Sequence, residues 1–236
     1  MGKGKLKKFQ DNARFEHVIE PEVKGHVAND HPLKGNWNTV FFKNKQPLVL
    51  ELGCGKGEYS VGLARMFPEK NFIGVDIKGA RIWKGAKTSF EEGLKNVAFL
   101  RTRIEVINSF FAPNEVDEIW VTFPDPQMKK RRAKKRLTSS GFLTRYQKFI
   151  KNNALVHLKT DSTFLYEYTN EVVRVNQLKV IKNTPNLYSE SWTDQILSIQ
   201  THYEQIHIDE GDRINYIVFE LPQNQVLIEP EFDGED

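Results

Sequence analysis

An acidic residue followed by three alternating glycines is the first pattern in the sequence that could carry chemistry. The pattern is Glu51-x-Gly53-x-Gly55-x-Gly57, and it begins near the end of a mostly apolar run at 47–52. Glycine lets the chain turn sharply and lets backbone approach a ligand closely, although a plain strand-to-helix turn also uses it. The spacing differs from the G-x-G-x-x-G of dinucleotide-binding folds. An acid at position 51 would also repel the pyrophosphate that such folds bind. The pattern therefore favours a cationic or amine-bearing ligand.

A second acid, Asp76, ends the next predicted strand, nineteen residues beyond Gly57. An acid at this position typically accepts hydrogen bonds from both ribose hydroxyls of a nucleoside. S-adenosylmethionine is such a nucleoside, with a positive charge and no phosphate. At these residues the sequence resembles the class I methyltransferases, whose first motif is an acid followed by a glycine loop. The resemblance implies that Glu51, Gly53, Gly55, Gly57 and Asp76 bind this methyl donor.

Asp125 stands between Pro124 and Pro126, directly after the fourth predicted strand. The two prolines stiffen the loop and hold Asp125 out of regular structure. Residues 129–136 follow with seven cations in eight positions. The alternative interpretations are a rigid turn for the Pro-Asp-Pro segment and a solvated surface for the cationic run. Because methyltransferases place target-facing residues at this strand end, the cationic run indicates a phosphate-bearing target, a nucleic acid.

Four motifs, in their order along the chain, resemble the bacterial tRNA (guanine-N7-)-methyltransferase family, often called TrmB. They are the glycine loop, the Pro-Asp-Pro segment with its cationic run, Lys159–Thr160–Asp161, and Thr201–His202–Tyr203–Glu204. The resemblance covers about residues 36–221. It implies that the target is a guanosine in the variable loop of tRNA. It places Asp125 at the family's catalytic aspartate, where it also contacts the donor. The implied substrate-binding residues are Lys129, Asp161, Thr201, His202, Tyr203 and Glu204.

The proposed target atom explains why three acids follow the glycine loop. Nitrogen-7 of guanine carries a lone pair and no proton, so it needs alignment with the methyl group rather than a general base. Guanine gains positive charge during transfer, and a nearby carboxylate stabilises that charge. We assign Asp125 to this role and Asp161 and Glu204 to positioning the guanine and the rest of the substrate.

Three positions depart from the family pattern. Gln127 stands where a tryptophan usually follows Pro-Asp-Pro. The stretch after the third predicted strand has no acid before Glu105, so no residue is assigned to the adenine of the donor. Asp76 stands where glutamate is more frequent, with the same chemistry.

The elements that must position these residues alternate along the chain. Apolar runs predict strands at 47–52, 72–76, 97–100, 116–123 and 154–159, and helical spacing predicts helices at 58–67, 79–92, 139–151 and 162–175. Such alternation predicts parallel βαβ units, and the later strands 178–181 and 214–221 predict an antiparallel edge hairpin. The fold class is therefore α/β, a Rossmann-like class I methyltransferase fold. The carboxyl ends of its strands would gather the residues singled out above.

Charge is unevenly distributed along a chain whose net charge is +3. Residues 1–36 form a predicted flexible basic arm with Lys3, Lys5, Lys7 and Lys8, followed by a predicted methyltransferase domain at 37–222. Residues 223–236 form an acidic tail, with five acids after position 228. Phe9, Phe15, Val18 and Ile19 are apolar arm residues that could dock on the domain.

Composition excludes several classes of protein. The apolar runs are too short for a membrane span, and no apolar stretch follows the first lysines to form a secretory signal. The only cysteine, Cys54, excludes an internal disulfide and favours a reducing, cytoplasmic compartment. Its position in the turn predicts a small buried residue rather than a nucleophile. The six histidines are scattered without metal-ligand spacing, so we predict no metal, and we expect a monomer or homodimer.

Other functions remain as alternatives. The chain could methylate another RNA base or a small molecule, or it could be a noncatalytic RNA-binding subunit of the same fold. The acids and glycines of the first motif argue against the noncatalytic subunit, because RNA binding alone does not need them. The glycine spacing disfavours an NAD-dependent oxidoreductase.

Overall fold

The computed structural model describes residues 3–22, 29–191, 197, 199 and 202–232. The chain divides into two compact units, Met1–Val116 and Asp117–Asp236. Within the described residues, no helix combines the length and the apolarity that a membrane crossing requires.

The first unit is a parallel sheet with helices. Its strands are β1 (Val18–Ile19), β2 (Leu48–Leu52), β3 (Asn71–Asp76) and β4 (Val97–Arg101), and its α-helices are α1 (Lys3–Asn12), α2 (Glu58–Met66) and α3 (Gly79–Glu91). A π-helical turn spans Trp37–Phe41 and a 3₁₀ helix spans Ile104–Ser109. The strand order is β1-β4-β3-β2, and each neighbouring pair is parallel.

Strand β2 shows why the run at 47–52 is rich in apolar residues. All five of its residues are buried, including both faces of the strand. Strands of parallel sheets are covered by helices on both faces and therefore read as continuous apolar runs. The register pairs Glu51 with Gly74 and Leu52 with Val75, so β2 and β3 end side by side.

The N-terminal residues pack on α3 and β4. Asp11 in α1 accepts a hydrogen bond from the indole of Trp83 at 2.9 Å, and the buried Asn12 donates to the Gly79 carbonyl at 2.9 Å. The ring of Phe15 lies 5.3 Å from that of Phe90. Strand β1 follows and pairs with β4. The flexibility predicted for residues 1–36 stays a prediction.

The second unit carries the antiparallel strands. It contains β5 (Val116–Thr122, beginning at the boundary), β6 (Ile150–Thr160), β7 (Val180–Thr184) and β8 (Asn215–Leu221), in the order β5-β6-β8-β7. Strand β8 is antiparallel to both β6 and β7. The α-helices are α4 (Ser140–Tyr146), α5 (Thr163–Val175) and α6 (His202–Asp209), and short 3₁₀ helices span Lys130–Lys135 and Leu187–Ser189. The mostly parallel sheet with an antiparallel C-terminal hairpin is thus confirmed.

The structure differs from the predicted elements in several places. The helix expected at 139–151 ends at Tyr146, because β6 already begins at Ile150. The exposed residues 151–153 near the start of β6 are Lys-Asn-Asn, a composition typical of a turn, and Asn153 has a φ of 58°. Helix α6 was not predicted, because its sequence lacks an apolar stripe. The two-residue β1 was likewise not predicted as a strand, since it is too short to show periodicity.

Candidate active site

The glycine loop lies between β2 and α2, with its three glycines in the left-handed region. Their φ angles are 81° at Gly53, 55° at Gly55 and 70° at Gly57. The Gly53 amide donates to the Val75 carbonyl at 2.8 Å, which ties the loop to the end of β3. A Cβ at Gly57 would stand 2.5 Å from the Phe99 ring. Glycine is therefore required at this position by both conformation and space.

Asp76 joins this loop from the end of β3. Its Oδ2 accepts from the Gly55 amide at 3.0 Å, and its Oδ1 accepts from the Lys78 amide at 2.7 Å. The residue is 9% exposed. A carboxylate has about four acceptor sites, so two backbone bonds orient it and leave capacity for hydroxyl donors. The structure therefore brings Asp76 and the glycine loop together, as the sequence predicted.

Glu51 is buried at the end of β2 and is hydrogen-bonded within the protein. It is 3% exposed, and its Oε2 accepts from the Ser60 amide at 2.9 Å and from the Ser60 hydroxyl at 2.5 Å. Ser60 lies in the first turn of α2, so Glu51 holds the end of β2 to the start of that helix. This structural role was missed by the sequence analysis, because nothing in the sequence marks Ser60 as the partner.

Cys54 lies within the loop and is buried. Burial raises the pKa of its thiol well above the ordinary value, and the nearby carboxylates of Glu51 and Asp76 raise it further. The side chain is thus a neutral thiol, as its predicted structural role requires. Glu51 and Asp76 bring two carboxylates to the loop, and carboxylates favour a cationic ligand over a phosphate. These residues fit S-adenosylmethionine.

Asp125 lies in an irregular loop after β5. The residue is exposed, and its Oδ1 accepts from the Gln127 amide at 3.0 Å. Phe123 and Gln127, on either side, have φ angles of 47° and 50°, which non-glycine residues rarely adopt. The Phe123 amide donates to the Lys159 carbonyl at 2.8 Å, which anchors the start of the loop on β6.

The cationic run after this loop forms the 3₁₀ helix Lys130–Lys135 rather than an irregular loop. Lys129 precedes it and is exposed, as are the cations at 130, 131, 132, 134 and 135. Arg136 differs, because only 1% of its surface is exposed. Arg136 therefore does not share the solvent-facing surface of the other six cations.

Asp161 follows β6 and is half-buried. Asn215 at the start of β8 orders its surroundings. The side-chain amide of Asn215 donates to the Thr160 carbonyl at 3.2 Å and to the Asp161 carbonyl at 3.5 Å. The Ser162 amide donates to the Thr160 hydroxyl at 3.1 Å. The position of Asp161 is thus fixed through its backbone.

Glu204 is buried in an ion pair with Lys159. The Nζ–Oε1 distance is 2.7 Å, and both side chains are 0% exposed. The Tyr188 hydroxyl donates to the same carboxylate at 2.6 Å. Lys159 also donates to the carbonyls of Leu197 and Ile199, at 2.7 and 3.2 Å. Burial lowers the pKa of Lys159, while Glu204 opposes that shift.

Lys159 therefore links three predicted motifs within the second unit. Its backbone carbonyl accepts a hydrogen bond from the Phe123 amide, and its ammonium forms an ion pair with the Glu204 carboxylate. Asp161 follows it by two residues along the chain. His202 and Tyr203 lie at the start of α6, and their side chains are outside the described residues, as is Thr201. Within the described residues, no group of three or more His, Cys, Asp and Glu side chains is arranged to hold a metal.

Sequence reasoning named Lys159 only as part of a motif and counted Arg136 only among the cations. The signal for Lys159 was a lysine at the end of a mostly apolar predicted strand, because a buried ammonium requires a partner. The signal for Arg136 was weaker, since it is the last cation before the apolar Leu137.

Comparisons with known proteins agree with this geometry. A family model described as "Putative methyltransferase" matches residues 45–216. A tRNA (guanine-N(7)-)-methyltransferase of Bacteroides thetaiotaomicron is 55% identical over 235 residues, covering 100% of this chain and 92% of that protein. An enzyme of the same name from Christiangramia forsetii is 50% identical over 220 residues, covering 93% of this chain and 98% of its own.

Among solved structures, the 16S rRNA methyltransferase KamB is similar in fold, with a TM-score of 0.61 at 14% identity over 87% of this chain and 99% of that chain. The likeness supports the class I methyltransferase architecture. With the acid-and-glycine loop of the first unit and relatives that match nearly the whole length, the chain belongs to the tRNA (guanine-N(7)-)-methyltransferase family.

Proposed function

We propose that this enzyme transfers the methyl group of S-adenosylmethionine to nitrogen-7 of a guanosine in the variable loop of tRNA. When bound, S-adenosylmethionine supplies an electrophilic methyl group on a positively charged sulfur. One observation carries the proposal for the acceptor side. Asp125 is an exposed acid in a proline-flanked loop, and a helix of exposed cations follows it.

Residues of the first unit hold the donor in this proposal. Asp76 accepts from the ribose hydroxyls, since two backbone amides already orient its carboxylate. Gly53, Gly55 and Gly57 let the loop backbone approach the ligand. The buried charge of Glu51 favours a cationic donor, because a charge in a low-dielectric environment acts over a longer range than in water.

Asp125 acts on the acceptor. Nitrogen-7 needs no deprotonation, so the chain's task is to orient the guanine and stabilise the positive charge that develops on its ring. The Gln127 amide and the two prolines hold the Asp125 carboxylate in place while leaving it exposed. Contact of Asp125 with the donor is part of the same proposal.

Asp161 and Glu204 have separate tasks in positioning the base. The ring N–H and exocyclic amine of guanine are paired donors, and a carboxylate accepts both. We assign this contact to Asp161, which is half-buried rather than enclosed. Glu204, paired with Lys159, acts indirectly by holding the start of α6, where His202 and Tyr203 follow Thr201.

The tRNA backbone is held by the exposed cations from Lys129 to Lys135 and by the lysines of the N-terminal arm. Phosphate contacts of this kind supply affinity without reading sequence. We expect the enzyme to act in the cytoplasm, as a monomer or homodimer.

The direct test is to incubate unmodified tRNA with the protein and labelled S-adenosylmethionine, and then to locate the methyl group. We expect 7-methylguanosine in the variable loop. A methyl group at another base would establish the alternative RNA target. Binding of tRNA and donor without methylation would indicate a noncatalytic subunit.

Asp125→Asn tests the chemical step. The variant keeps the shape of the loop residue but removes its charge, so single-turnover methylation should fall by about a hundred- to a thousandfold, as for comparable electrostatic contacts. Donor and tRNA affinities should change much less, because the charge on guanine appears late in the reaction. Asp117→Asn, in the same unit but paired with Lys151, is the matched control. Near-normal turnover in Asp125→Asn would remove Asp125 from the mechanism.

A further inference from the structure

Arg136 is the buried cation at the end of the exposed run. Its Nε donates to the Gln127 carbonyl and one terminal nitrogen donates to the Met128 carbonyl, both at 3.2 Å. These two carbonyls belong to the loop that carries Asp125. At 1% exposure, its guanidinium is not placed to meet a phosphate of bound RNA.

Two aromatic rings of α5 hold the guanidinium in this position. Its central carbon lies 4.3 Å from the ring centroid of Tyr168 and 4.7 Å from that of Phe164. A planar guanidinium can stack on rings and still donate in its own plane. Lysine can supply the charge but not this combined geometry.

The segment near the C-terminus completes the support. The Tyr168 hydroxyl donates to Glu229, and the other Glu229 oxygen accepts from the Ser140 amide at 3.0 Å and from its hydroxyl at 2.6 Å. Burial and Glu229 both raise the pKa of Tyr168, so its hydroxyl keeps the donated proton. Glu229 therefore ties α4 to α5 behind Arg136.

The Asp125 loop needs such support. Phe123 and Gln127 both have positive φ angles, a conformation that persists only where surrounding contacts determine it. The Lys159 carbonyl holds Phe123 at one end. Arg136 holds Gln127 and Met128 at the other end.

We propose that Arg136 is a positioning residue for methyl transfer, which fixes the Asp125 loop through the Gln127 and Met128 carbonyls and does not bind RNA. The proposal rests on the proposed role of Asp125. It separates Arg136 from the other cations of the run, which act on tRNA affinity. Loss of Arg136 should thus lower the rate of methyl transfer within the bound complex rather than the affinity for tRNA.

The test compares Arg136→Met and Arg136→Lys with Arg174→Met in the full-length protein. Arg174 lies on α5, is exposed and pairs with Glu171, so its loss removes the same charge without touching the loop. Two quantities are measured for each variant. One is hydrogen exchange of the peptide covering 123–130, and the other is the single-turnover methylation rate at saturating tRNA and donor.

For Arg136→Met we expect faster exchange in this peptide and a rate lower by about 10- to 100-fold, since misplacement by about 1 Å can cost a hundredfold. The salt dependence of tRNA binding should stay that of the wild type, because no phosphate contact is lost. Arg136→Lys should recover part of the rate. Arg174→Met should match the wild type in both measurements.

Unchanged exchange in Arg136→Met, or faster exchange with an unchanged rate, would overturn the proposal. A rate loss that more tRNA abolishes would also overturn it, because Arg136 would then act in binding. If Arg136→Met does not fold, Arg136→Lys supplies the same two measurements and is judged by the same outcomes. Failure of the Asp125 assignment is distinguishable, since Asp125→Asn would then keep normal turnover whatever Arg136 does.

Discussion

Lys135 and Arg136 are adjacent residues of like charge in the sequence, yet one is exposed and the other is buried. The difference is made by Tyr168 and Phe164, which lie some thirty residues further along the chain. Local composition identified the cationic run but could not identify the member that faces inward. The glycine loop was easier to predict, because its requirement for positive φ is a property of the residues themselves.

The same residue scale gives a prediction for the donor site. Asp76→Asn should weaken S-adenosylmethionine binding by about ten- to hundredfold, because charge-assisted hydrogen bonds contribute about 1.5–3 kcal/mol. Isothermal titration calorimetry on the folded variant measures the affinity directly. Asp30→Asn, at an exposed acid paired with Lys34, is the control for charge alone. Equal affinities in both variants would contradict the role of Asp76.

Cys54 gives a second prediction at this scale. Burial and two carboxylates raise the pKa of its thiol, whereas an unfolded cysteine titrates near about 8.5. At pH 8 a thiol-reactive reagent should therefore label the native protein on the order of a hundredfold more slowly than the urea-unfolded protein, since the thiolate is the reactive form. Raising the pH from 7 to 9 should accelerate labelling mainly in the unfolded chain. Comparable rates in both states would show the loop to be open to reagent.

At the scale of elements, the strands were predicted more accurately than the connections between them. Strands β2 and β3 are mostly apolar, and the structure places them within one residue of the prediction. Helix α6 has no such signal, and its position depends on Glu204 meeting Lys159 from β6. A contact between residues 45 positions apart is a tertiary event, so local patterns do not contain it.

The Lys159–Glu204 pair predicts how α6 is attached. Lys159→Met should lower the free energy of unfolding by about 3–5 kcal/mol, because it leaves a buried carboxylate without its ammonium. Lys159→Met/Glu204→Gln should be more stable than that single variant, since the second change removes the uncompensated charge. Urea unfolding of both variants and of Glu204→Gln completes the cycle. A double variant no more stable than Lys159→Met would mean that the pair does not act as a unit.

At the scale of the whole molecule, charge is the property most readily taken from the sequence. A net charge of +3 understates the cationic surface available to RNA, because acids gather after position 228. Six cations between 129 and 135 are exposed in the second unit. Residues 129–136 contain no acid in the sequence, and such a block of one charge predicts electrostatic binding.

Replacing Lys129, Lys130, Arg131 and Arg132 with alanine tests this surface. If all four contact phosphates, the slope of log affinity against log salt should fall by roughly 3–4 units, at about 0.7–0.9 per contact. A control of equal charge change replaces Lys87, Lys151, Arg174 and Lys179, each of which is paired with an acid. The control should keep the wild-type slope. Equal slopes in the two variants would show that the run is only a solvated surface.

The strand order of the second unit has a consequence for synthesis on the ribosome. Strand β8 is the last strand among the described residues, yet it lies between β6 and β7 and pairs with both. While Asn215–Leu221 is still inside the ribosome, β6 and β7 cannot complete their ladders, and unpaired strand edges are sites of aggregation. The strands of the first unit all precede residue 102, so they can pair much earlier. A premature stop codon before residue 215 should thus release a nascent chain in which β1 to β4 can pair, whereas β6 and β7 lack the strand that lies between them.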